Sequence, residues 1–127
     1  MNREEKRALI EQYLAAYNAF NLEAMLALIH DDIAFENVSA GQVNAAARGL
    51  EEFRRLAEQA RTFFGSRRQT MTKFEADGDA AYIEVTFEGV PALDLPNGMK
   101  AGQTVHLNGR SEFAFRDGKI CRITDIS

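Results

Sequence analysis

Three polar residues sit where strand alternation otherwise places apolar side chains. Asn37 follows Ile33 and Phe35, Ser111 precedes Phe113 and Phe115, and Asp125 follows Cys121 and Ile123. Residues two apart on a strand share a face, so all three should point toward an interior. A buried polar group there is either satisfied by the fold or open to a cavity. Tyr13 and Tyr17, one helical turn apart, can converge on the same place. A few polar groups meeting in an apolar pocket is the form small-molecule sites take. Asp125 offers the most chemistry, because a carboxylate in apolar surroundings has a raised pKa and can serve as acid or base.

These residues must be positioned by an α+β arrangement. Asn2, with Glu5 three residues on, forms a capping box that opens a helix carrying Leu9, Ile10, Tyr13, Leu14 and Tyr17. Asn21 can cap a second, shorter helix with Leu22, Met25, Leu26 and Ile29, ending at His30-Asp31-Asp32, where His30 is expected as a C-terminal cap. Ile33 to Val38 reads as a strand, and SAGQVNAAARG after it as a loop of small residues. A third helix places Leu50, Phe53, Ala57, Ala60 and Phe64 inward, and Glu51, Glu52, Arg54, Arg55, Glu58 and Arg61 toward solvent.

From Ser66 onward the period is two. Strands are expected over Arg67–Ala76, Ala80–Val90, Gln103–Phe115 and Lys119–Ile126, joined at Asp77-Gly78-Asp79, at a longer loop over Pro91–Lys100, and at Asp117-Gly118. Helices first and hairpins afterwards is not the alternation of a parallel α/β sheet.

The chain's 127 residues suit one domain, 1–127, and 46% apolar with 27% charged residues is an ordinary globular balance. Net charge of −4 argues against nucleic acid as a partner, and Arg67-Arg68 is too small a basic patch to reverse that. The lone Cys121 excludes an internal disulfide. His30-Asp31-Asp32 has ligand residue types, but adjacent side chains diverge, so no metal is expected. The glycines punctuate turns and do not form a phosphate loop, and no cofactor is expected. Apolar runs fall short of the roughly 18 residues of a membrane span. With no apolar signal region behind Met1, the expected location is cytoplasmic.

Ile10 to Gly41, IEQYLAAYNAFNLEAMLALIHDDIAFENVSAG, resembles the N-terminal third of ketosteroid isomerases and polyketide cyclases. GLEEFRRLAEQARTFF, the strand order and the closing FAFRDGKICRITDIS extend the likeness over essentially the whole chain. The sequence is thus similar to the SnoaL-like members of the nuclear transport factor 2 (NTF2)-like superfamily. That resemblance implies a cone, in which N-terminal helices pack on a strongly curved antiparallel sheet and a pocket opens at the wide end. It also implies a homodimer through the convex face, which would carry Tyr82, Thr86, His106, Asn108 and Arg110. The scaffold hosts isomerases, cyclases, dehydratases, epoxide hydrolases and non-catalytic binding modules, so function rests on individual residues.

In the ketosteroid isomerase pattern a carboxylate removes a proton, while a tyrosine and a protonated aspartic acid hold the enolate. Tyr13 matches the tyrosine. Asn37 stands where the base belongs, and an amide cannot abstract a proton. Ser111 replaces the protonated aspartic acid, so that particular activity is not expected. Glu36 would reach the interior only through a bulge, since alternation points it away. The limonene-epoxide-hydrolase pattern of acid, arginine and acid has a faint counterpart in Arg110-Ser111-Glu112. Arg110 and Glu112 lie on the polar face, however, where an ion pair is the better reading.

Two functions follow. One is a cofactor-independent isomerase, cyclase or dehydratase acting on an apolar small molecule. In it Tyr13 polarises an oxygen, Asp125 moves a proton, and Tyr17, Asn37, Ser111 and Phe113 contact the substrate. The other is a non-catalytic ligand-binding or dimerisation module.

Overall fold

A computed structural model describes residues 1–127. Helix α1 (Arg3–Asn18) opens with the capping box: Glu5 N donates to Asn2 Oδ1 at 2.8 Å, and Asn2 N donates to Glu5 Oε1 at 3.0 Å. Its stripe of Ile10, Tyr13 and Leu14 is buried. Helix α2 (Leu22–Ala27) is capped by Asn21, whose Oδ1 accepts from Ala24 N at 3.1 Å.

Strand β1 (Ile29–Ser39) begins earlier than the sequence suggests. The second helix stops before Ile29, so His30 is a strand residue and not a helix cap. A helix of six residues has little stability of its own, and Ile29 is drawn into register with Ile120. His30 Nε2 lies 3.3 Å from Asp117 Oδ2, and Arg116 pairs with Asp32 at 2.8 Å.

A second correction concerns the small-residue segment, which forms strand β2 (Gln42–Arg48) and pairs antiparallel with β1. The connection is a two-residue turn. Ala40 and Gly41 take φ of 52° and 77°, the left-handed pair that a type I′ hairpin turn requires. Helix α3 (Leu50–Arg61) ends before Phe64, which starts β3 (Phe64–Asp77) instead of completing the helical stripe. Strands β4 (Ala80–Pro91), β5 (Val105–Arg116) and β6 (Lys119–Ile126) complete the fold.

One six-stranded sheet runs β2-β1-β6-β5-β4-β3. Four of the neighbouring pairs are antiparallel. The β1–β6 pair is parallel, so the expected antiparallel sheet carries one parallel pairing, next to its β2–β1 edge hairpin. This pairing joins the N-terminal hairpin to the C-terminal meander and places Asn37 opposite Asp125.

Helix α1 packs against β3 and α3 against β1 and β2, with α2 between the helices. Ile83, Phe113, Ile120 and Ile123 fill the inner face beneath them, each at most 1% exposed. A bulge between β5 and β6 sets the phase of that face: Phe115 pairs with Ile120, while Ala114 pairs with Arg122. Cys121 is the extra residue, so Ile120 and not Cys121 joins Ile123 and Asp125 inward.

Candidate functional site

Between the helices and the inner sheet face lies a cavity of about 760 Å³. Fourteen of its 21 lining residues are hydrophobic, which makes the few polar ones its chemistry. Phe53, Leu56, Ala57 and Ala60 of α3 form one wall, facing Phe35 of β1. Phe35 and Phe53 meet edge to face, with ring centroids 5.7 Å apart. The loop between β4 and β5 contributes Leu93, Leu95, Pro96 and Met99. It is held in shape by Leu95 N donating to Met99 O at 2.8 Å and Ala101 N donating to Asp94 Oδ1 at 3.0 Å.

Asp125 lines this cavity from β6. Its Oδ1 accepts a 2.7 Å hydrogen bond from Ser111 Oγ, the residue opposite it on β5. Oδ2 has no hydrogen-bond partner in the protein. Burial disfavours the carboxylate, the Ser111 bond offsets part of that cost, and the pKa is pushed up from 3.8 to about 6. Tyr13, on α1, is buried and also lines the cavity. Burial, reinforced by the negative charge of Asp125, holds its phenol well above the usual value of 10. It therefore remains a neutral hydrogen-bond donor throughout the range in which Asp125 titrates.

Tyr17 and Asn37 share the same cavity. The Asn37 amide donates to Asn44 Oδ1 at 2.8 Å across the β1–β2 hairpin, so it is tied to a second amide in the wall. Ser111 and Phe113 are not in the lining. Ser111 is 3% exposed and stands behind Asp125 as its hydrogen-bond donor. Phe113 is fully buried beneath Tyr13, its ring edge-on at 6.3 Å. Both support wall residues instead of lining the cavity themselves. Glu36 is not in the lining, and Arg110 pairs with Glu112 at 3.6 Å, away from the cavity.

Sequence reasoning missed four polar wall residues, the uncharged Asn44, Gln69 and Asn97 and the charged Arg67. Arg67 is only 8% exposed, and its guanidinium lies 3.7 Å over the Tyr17 ring and 4.5 Å from that of Phe20. Its Nε donates to the Tyr17 carbonyl at 3.2 Å. The available signal was the position of Arg67 in a period-two strand beside outward Arg68. Gln69, two residues on, lines the same wall.

The family described as SnoaL-like domain matches residues 10–123. No curated protein matches the chain. Among solved structures, a protein of Xanthomonas campestris pv. campestris provisionally assigned as a polyketide cyclase is 26% identical, with a TM-score of 0.78 over 100% of this chain and 93% of that one. Another of Pseudomonas putida KT2440, provisionally assigned in the same way, is 28% identical, with a TM-score of 0.72 over 92% and 86%. An LEH-like epoxide hydrolase of M. tuberculosis shares the fold at 21% identity, with a TM-score of 0.77 over 98% and 83%.

Proposed function

The chain belongs to the SnoaL-like domain family, and on that premise we propose that it binds an apolar small molecule and moves a proton on it without a cofactor, as an isomerase, cyclase or dehydratase does. One observation carries this reading. A carboxylate oxygen without a protein partner, Asp125 Oδ2, shares an apolar cavity with the Tyr13 phenol. In the reaction Asp125 takes a proton from carbon next to a carbonyl, and Tyr13 donates a hydrogen bond to the oxygen on which charge develops. Asn37 and Tyr17 orient the substrate. Asp125, with its pKa near 6, is ionised enough at neutral pH to accept the proton and weak enough as an acid to return it.

The test is deuterium incorporation next to the carbonyl of a panel of bicyclic aromatic ketones in D2O, followed by NMR. Exchange above the uncatalysed rate is expected with the wild type and not with Asp125→Asn. Binding of panel members without exchange would favour the non-catalytic reading, which the amide Asn37 at the family's base position also supports.

The protein is further proposed to form a homodimer through the outer sheet face around Tyr82, Thr86 and His106. Sedimentation equilibrium at micromolar concentration should give twice the 14.2 kDa chain mass; a monomer alone would end that proposal.

A further inference from the structure

Arg67 is a buried cation without an anion. It forms no ion pair with any carboxylate of the chain, although most other arginines do, for example Arg54 with Glu23 and Arg116 with Asp32. The charged and titratable groups that influence it are the two cavity phenols, Tyr17 and Tyr13, and the like-charged Arg61. The aromatic faces of Tyr17 and Phe20 and the Tyr17 carbonyl offset part of the burial cost, and none of them carries a negative charge. The residue lines the same cavity as Asp125 and Tyr13.

We propose that the ligand of this cavity is an organic anion, an apolar ring body bearing a carboxylate or an ionised phenol or enol, and that Arg67 is the residue that binds its charge. The inference rests on the small-molecule reading above and narrows it to a class. A guanidinium fixed by stacking and by one Nε bond is oriented in advance, and its planar fork suits carboxylate geometry. Desolvation already depresses the Arg67 pKa, so an incoming anion meets a cation that water solvates poorly. The division of labour follows: Arg67 holds the anionic end, and Asp125 and Tyr13 act on a different part of the molecule.

The experiment compares three bicyclic probes of one shape, 2-naphthoate, 2-naphthamide and 2-naphthylmethylammonium, by isothermal titration at pH 7. The wild type should bind naphthoate about ten- to a hundredfold tighter than the amide, as expected for a hydrogen-bonded charge pair removed from water. The ammonium probe should bind weakest. Arg67→Gln should bring naphthoate down to the level of the amide, and Arg67→Lys should keep part of the preference. Should Arg67→Gln fail to fold, the three-probe comparison on the wild type still decides. Equal or tighter binding of the amide would overturn the anion assignment while leaving the cavity reading intact. No binding of any probe at millimolar concentration would overturn both.

Discussion

Ser111 Oγ and Asp125 Oδ1 lie 2.7 Å apart across the β5–β6 register, and this is the one hydrogen bond the half-buried carboxylate receives. A carboxylate held by two or three donors would be strongly acidic. With one donor, desolvation wins and the pKa rises to about 6. The pair thus sets the protonation state of the cavity and makes it sensitive to a single hydroxyl.

Stability should depend on pH through Asp125. The folded state binds the proton more tightly than the unfolded chain, since the pKa rises from 3.8 to about 6. The favourable contribution is therefore complete below about pH 4 and is lost as pH rises through 6. At about 1.4 kcal/mol per pH unit, the loss amounts to about 3 kcal/mol by neutral pH. Asp125→Asn should abolish this dependence and be more stable than the wild type at pH 7 by up to that amount. Urea titrations of both proteins between pH 4 and 7 measure it. Parallel pH profiles for the two would show that Asp125 is not held as described.

Removing the single donor should move the carboxylate further. In Ser111→Ala the Asp125 pKa should rise above about 6, because only the lowering influence of the hydroxyl is lost. Stability at neutral pH should fall by about 1–3 kcal/mol, the cost of an unsatisfied charged group. A ¹³C titration of the Asp125 carboxyl by NMR reads the pKa directly. A downward or absent change would separate Ser111 from the electrostatics of the site.

The two core phenylalanines should differ in cost. Phe113 is 1% exposed and surrounded by core, so Phe113→Ala leaves a void beneath Tyr13 and should cost about 3–5 kcal/mol. Phe53 also borders the cavity, so truncating it enlarges existing space, and its loss should fall at or below the lower end of that range. Denaturant titration of each variant gives the order, and a cheaper Phe113→Ala would misplace the cavity boundary.

The elements that organise this site were legible to different degrees. Helix α1 announced itself through Asn2, Glu5 and a regular apolar stripe, and β6 through alternation bounded by Asp117-Gly118. Strand β2 was not legible, because its alanines have weak strand preference and only pairing with β1 makes them a strand. The parallel β1–β6 pairing was hidden for the same reason: partners almost ninety residues apart leave no local pattern. Asn37, Tyr13, Tyr17 and Asp125 could be placed on inward faces by period alone. Ser111 and Phe113 share that inward orientation, but they sit under a layer of side chains that periodicity does not resolve. Arg67 had only its alternation with outward Arg68 to mark it, and an arginine on a strand face ordinarily means solvent; the rings of Tyr17 and Phe20 bring it inside.

The affinity for an organic anion should itself depend on pH. Within the cavity Tyr13 and Tyr17 are both pushed above the usual phenol value by burial and stay neutral, and Arg67 stays charged. Asp125 is the lining group that titrates near neutrality. Above pH 6 it adds a negative charge to the space the anion must enter; below pH 6 it does not. Naphthoate should therefore bind more tightly at pH 5.5 than at pH 7.5, by roughly a few-fold, the scale of one like charge at several ångströms in a partly solvated interior. By linkage, bound naphthoate should raise the Asp125 pKa above about 6 by the matching amount. The amide probe should show no such trend, and Asp125→Asn should flatten it for naphthoate. Isothermal titration at the two pH values, with the carboxyl followed by NMR in the presence and absence of probe, measures both sides of the linkage. A naphthoate affinity that weakens as pH falls would contradict the arrangement, since it would require a group other than Asp125 to govern the charge of the cavity.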